Sequence, residues 1–178
     1  MRVIAGKEFA CVKLEGKANL ALSLSFHTLV EGLRRKGCRF FVLELSGCAL
    51  MDSTFLGGLA QFGLSMAEGQ AAGSRPAIQL LNPNERVIEL LSNLGILEFF
   101  RCCQGIVEPP PDAEVTELTP SEASRLDLCR ASLEAHRFLV SMNEGNAAKF
   151  KDVTRFLEED LKRLEGEGQE PAAGDKAG

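Results

Sequence analysis

Apolar positions along the first part of the chain recur with two alternating periods, and that alternation predicts the elements. "RVIA" and "FACVKLEG" are short apolar runs separated by Gly6-Lys7, which predicts two strands joined by a tight turn. From Leu22 the period lengthens. Leu22, Phe26, Leu29, Val30 and Leu33 fall at helical spacing, and "RRKG" closes the segment with the basic residues and glycine that helix C-termini favour. "RFFVLELS" is apolar at successive rather than alternate positions, as in a strand covered on both faces. A helix then follows Asp52-Ser53-Thr54 and runs to about Glu68, with Phe55, Leu56, Leu59, Phe62 and Met66 as its apolar residues, and "GSRP" ends the unit. "AIQLL" reads as the next strand. "NPNE" reads as a helix start, with Asn82 as cap, Pro83 at the first helical position and Glu85 three residues after the cap. Val87, Ile88, Leu90, Leu91 and Leu94 form the buried stripe of this helix, Gly95 stops it, and "ILEFFRCC" reads as a last short strand or an irregular edge.

This order predicts an α/β domain over residues 1–107: a mixed sheet of four to five strands with helices packed on it through right-handed crossovers. "VEPPPDAEV" predicts an extended linker over residues 108–119, because consecutive prolines cannot continue a helix. "TPSE", Thr119 to Glu122, carries a capping signature and predicts a C-terminal helical extension over residues 120–165. The extension divides near "NEGN", with Asn146 as the second cap. Its second half sets Phe150, Val153, Phe156, Leu157, Leu161 and Leu164 on one face, against Glu158, Glu159, Asp160 and Lys162 on the other. Residues 166–178 are low in complexity, which predicts a disordered tail.

Composition narrows the function classes. With 45% hydrophobic residues in 178, the chain can bury a core, and its net charge of −5 argues against a nucleic-acid partner. No signal peptide is visible and no apolar run is long enough for membrane insertion, so the expected location is cytoplasmic. The six cysteines have no C-x-x-C spacing and read as reduced, mostly buried thiols. Cys102, Cys103, Cys129 and His136 match no zinc pattern, so no metal and no cofactor is expected. His27 has no acid beside it, Ser53 has no evident His–Asp support, and Gly57-Gly58 lacks the lysine of a phosphate-binding loop. The chain reads as a protein without an active site, not an enzyme.

One stretch carries chemistry. In "CALMDSTFLGGL" an apolar run is interrupted once, by Asp52-Ser53-Thr54. Taken alone, such a triplet is an N-cap, since Asp, Ser and Thr are preferred there. A helix N-terminus also offers unpaired backbone N–H groups and a dipole that favours negative charge. A phosphoryl group on Ser53 would meet donors already aimed at it and would add roughly 1.5 to 2 negative charges next to Asp52. A partner matched to a neutral serine would then face a dianion. Gly57, Gly58 and Gly63 in the same helix predict that a neighbouring element comes very close to its backbone.

The strand "FFVLELS", the loop "GCAL", the motif "MDSTFLGGLA" and the downstream "LLNPNERVIELLSNLGILEFF" resemble the STAS domain of bacterial anti-sigma factor antagonists, over roughly residues 1–107. The resemblance implies a STAS-like fold and a phosphoacceptor at Ser53, with Thr54 as the neighbouring, backup hydroxyl and Asp52 as the acid of the motif. Phe55 stands where the family carries glycine, which implies a reshaped partner surface made by Asp52, Ser53, Thr54, Phe55 and Gly57. It further implies regulation of transcription by partner switching. The unphosphorylated domain would bind an anti-sigma factor that is also a serine kinase, phosphorylation of Ser53 would release it, and a PP2C-type phosphatase would reset the system. Some members of the family act instead as scaffolds in signalling or transport assemblies. The C-terminal helical region lies outside the resemblance, and its apolar stripe must be buried on its own domain, against a second copy in a homodimer, or on a partner.

Overall fold

The computed structural model describes residues 1–68, 76–108, 111, 113–119 and 122–167. In chain order the elements are β1 (Arg2–Ala5), β2 (Phe9–Lys13), β3 (Gly16–Ala18), α1 (Leu20–Arg35), β4 (Phe40–Glu44), β5 (Cys48–Met51), α2 (Ser53–Ala67), β6 (Ile78–Leu81), α3 (Glu85–Asn93), a single 3-10 turn (Leu97–Phe99), β7 (Arg101–Cys103), β8 (Glu114–Glu117), α4 (Arg125–Met142) and α5 (Glu144–Glu167). The main sheet runs β7-β6-β4-β2-β1-β8. Its β2, β4, β6 and β7 are parallel neighbours, while β1 is antiparallel to both β2 and β8. The small parallel pair β3-β5 lies apart, leading into α1 and α2. This is the expected α/β architecture, a mixed sheet with packed helices and a C-terminal helical extension.

The main sheet has six strands, more than the four to five expected, and the added strand comes from the segment read as a linker. Residues 114–117 pair with β1, Arg2 opposite Glu117 and Val3 opposite Thr116. Periodicity could not show this strand, because all four of its residues are exposed and it has no apolar face. Backbone pairing holds it, with an Arg2–Glu117 ion pair at 3.1 Å. Positions 109, 110 and 112 of that segment, part of "GSRP" and positions 168–178 of the expected tail lie outside the described residues.

Three caps differ from expectation. The α3 cap is Asn84, whose Oδ1 accepts from Val87 N–H at 2.9 Å while its Nδ2 donates to the Cys48 carbonyl at 2.8 Å. Asn82 instead takes a left-handed φ of 53° and exchanges two hydrogen bonds with the backbone of Gly105. The cap of α4 is Ser124, not Thr119. Asn146, expected to cap the second helix, lies inside α5 and is completely buried, its Nδ2 donating to the carbonyls of Leu94 and Leu139 at 3.0 and 2.8 Å.

The main core lies between one face of the sheet and α1–α3. Phe26, Phe41, Phe55 and Phe62 interlock at its centre, with ring centroids 5.2 Å apart for Phe26–Phe55 and 4.9 Å for Phe41–Phe62. Burying each ring contributes on the order of 1.5–3 kcal/mol. On the opposite face Cys11, Val42 and Leu81 form a smaller cluster with Ile4, Phe9, Cys103 and Val107, so β4 is apolar on both sides, as its unbroken run predicts. The ion pairs Arg130–Glu165 and Arg137–Glu158 show that α4 and α5 run antiparallel as a hairpin, and α4 packs on α1 and α2. Phe156, expected on the buried stripe of α5, is 57% exposed beneath the Arg155 guanidinium. Among the described residues no helix is long and apolar enough to cross a membrane.

Candidate functional site

The site begins with a carboxylate that ends two helices. Asp52 is extended, with φ −80° and ψ 168°, and its Oδ1 accepts from Phe55 N–H at 2.8 Å as the N-cap of α2. Its Oδ2 accepts from the Leu20 N–H, the first residue of α1, at 2.9 Å, and its own N–H donates to the Ala18 carbonyl of β3 at 2.9 Å. The first turn of α2 is therefore fixed on three sides.

Ser53, the first residue of α2, is half-buried, and its hydroxyl meets α4. Ser53 Oγ lies 2.8 Å from His136 Nε2, and His136 Nδ1 lies 2.7 Å from the Ser132 carbonyl. A carbonyl oxygen only accepts, so Nδ1 carries a proton and donates to Ser132, which leaves Nε2 as the ring atom that shares a hydrogen bond with the Ser53 hydroxyl. His136 is 3% exposed and its ring meets Phe150 of α5 edge-on at 5.1 Å. One residue on, the Thr54 and Ser132 hydroxyls are 3.0 Å apart in a buried contact. At Gly57 a Cβ would stand 2.6 Å from the Ala135 carbonyl oxygen, so the two helix backbones touch there. The spacing of 132, 135 and 136 is that of one helix face, laid along Ser53, Thr54 and Gly57.

This changes the expected partner surface. Phe55 contributes none of it: the ring is fully buried against Phe26, because a cap at Asp52 turns Phe55 into the core. Thr54 and Gly57 lie beneath α4, and Asp52 and Ser53 are half-buried. Ser53, expected to have no His–Asp support, does meet a histidine: His136 lies against it across 83 residues of sequence, with a backbone carbonyl rather than an aspartate behind the ring.

No protein-family model matches the chain, and no curated protein does. Among solved structures, the anti-sigma factor antagonist SpoIIAA in its unphosphorylated form is similar to it, at 18% identity and a TM-score of 0.45, over 56% of this chain and 83% of that one.

Away from α4, Ser53 borders a cavity of about 520 Å³ walled by Met51, Leu56, Leu90 and Phe150. Lys149 stands at its edge, its Nζ donating to the Asn93 carbonyl at 2.9 Å. The site thus has a hydroxyl, an imidazole and an ammonium near a helix N-terminus, with apolar walls. Elsewhere, burial raises the thiols of Cys38, Cys48, Cys102 and Cys129, and burial followed by the Glu44 charge pushes Cys11 up to about 11, away from the thiolate form. Cys102 is exposed, contrary to the buried reading. Cys129 Sγ donates to the Leu157 carbonyl at 3.5 Å, and among the described residues no three His, Cys, Asp or Glu side chains gather as a metal site.

Proposed function

We propose that the chain is a phosphorylation-controlled binding module of the anti-sigma factor antagonist type, with residues 1–107 as its STAS domain, residues 108–119 as the connection that also lends β8 to the sheet, residues 120–165 as a helical extension and residues 166–178 as a tail. One observation carries the reading: Ser53 is the first residue of an Asp52-capped helix, and its hydroxyl takes part in an interhelical contact that a phosphoryl group would have to remake. The motif "MDSTFLGGLA" supports it from the sequence side. A serine kinase that is also the anti-sigma factor binds the α2 surface and transfers the γ-phosphoryl group of ATP to Ser53. The Oγ–phosphorus bond forms as the bond to ADP breaks, and the hydroxyl proton leaves to a base. The product places about 1.5 to 2 negative charges beside Asp52, which ends complementarity and releases the partner. A PP2C-type phosphatase restores the hydroxyl, with Thr54 as the backup acceptor.

Intact-mass and peptide mapping of the protein isolated from its own cells tests this. One phosphate on Ser53, absent from Ser53→Ala, is the expected result; phosphate only at other positions overturns it. The other reading, a scaffold without phosphate control, is favoured by the hydroxyl's existing bond to His136, and complete absence of phosphate under all growth conditions would select it.

A further inference from the structure

We infer that the α4–α5 hairpin is a removable occupant, in cis, of the α2 face on which a helical partner docks, so that the hairpin must lift before a partner or a kinase reaches Ser53. This rests on the reading of the Ser53 turn as a partner surface. Among the described residues the buried polar side chains are Ser23, Thr54, Ser132, His136 and Asn146. Ser132, His136 and Asn146 belong to the hairpin, and Thr54 meets it through Ser132. Ser23 borders a cleft of about 100 Å³ left between α1, α2 and α4. The main core is built from apolar side chains; from the hairpin it takes Leu139, with Phe138, Met142 and Phe150 partly buried against it, and α4 also buries Cys129, Leu133 and Ala135. Contacts that come apart are more polar than permanent ones, because each separated group recovers its hydrogen bond from water. The hairpin follows β8 in the chain and pairs with no strand among the described residues, so lifting it leaves their strand pairings in place.

The face itself states what fits it. Gly57 admits a helix backbone at contact distance, Thr54 offers a hydroxyl, and Ser53 shares a hydrogen bond with a side chain one residue beyond the closest approach. The matching partner is a helix presenting a small residue flanked by hydrogen-bonding side chains three and one positions away, as Ala135 is flanked by Ser132 and His136. A tethered competitor of that kind lowers the apparent affinity of an outside helix by the closed-to-open ratio.

The test uses the full-length chain with Ser53→Cys, alkylated by iodoacetamide and followed by peptide mass, with exposed Cys102 as internal reference. Adding Gly57→Ala drives a methyl group into the Ala135 carbonyl. Labelling at position 53 is expected to quicken by about tenfold or more, with amide exchange protection lost across α4 and α5 but kept in β4. Unchanged labelling, or loss of β4 protection together with α4, overturns the inference. His136→Ala gives an independent, milder opening: a fluorescent peptide of residues 125–142 is expected to bind that chain about tenfold more tightly than the parent, and equal affinity overturns the competition. None of these measurements uses a kinase, so a hairpin that lifts while Ser53 carries no phosphate in cells separates failure of the proposed function from failure of this one.

Discussion

The two sides of α2 are held by different physics. Toward the sheet, Phe55, Leu59 and Phe62 enter a wall of Phe26 and Phe41 with no polar side chain between them. Toward α4, Ser53, Thr54 and Gly57 meet Ser132, Ala135 and His136 through hydroxyls, an imidazole and bare backbone. Apolar burial is non-directional and is lost only when the core opens, whereas the polar side can exchange its partners for water or for another helix. One helix is thus fixed on one face and docked on the other, and the docked face holds the serine.

That contrast can be broken or sharpened by substitution. Phe41→Ala removes the ring beneath α2 and is expected to destabilise the whole chain by about 3–5 kcal/mol in denaturant unfolding, with α4 and β4 losing exchange protection together. Asn146→Ala leaves the Leu94 and Leu139 carbonyls without their side-chain donor, and is expected to cost about 1–3 kcal/mol, seen first as faster exchange in α4 and α5. Thr54→Val keeps the shape but strands the Ser132 hydroxyl, for about 1 kcal/mol in the same measurement. Arg137→Ala removes an exposed ion pair with Glu158 at 2.7 Å and is expected to shift stability by less than about 0.5 kcal/mol. If Asn146→Ala instead unfolds the chain as one unit, the two faces are equivalent and the contrast fails.

Much of the fixed side was legible from the sequence. Leu22, Phe26, Val30 and Leu33 announce α1 by their spacing, and the unbroken run of β4 announces a strand with apolar neighbours on both faces, because burial leaves a periodic trace. The docked side leaves no such trace. Gly57 and Gly63 signalled close approach without naming Ala135 or Phe99 as the neighbour, and no local pattern links Ser53 to His136. Asn82, Pro83 and Glu85 fit a capping pattern, but Gly105, far along the chain, engages Asn82 and leaves Asn84 to cap α3. β8 was invisible because edge strands are held by backbone atoms, which the sequence does not spell.

Asp52 closes the molecule in a different way. Because its two carboxylate oxygens are shared between Leu20 and Phe55, it works as a rivet through the starts of α1 and α2. A mutational scan that finds Asp52 indispensable would therefore be reporting a loosened joint between two helices. Evidence about recognition has to come from residues whose loss leaves that joint fastened.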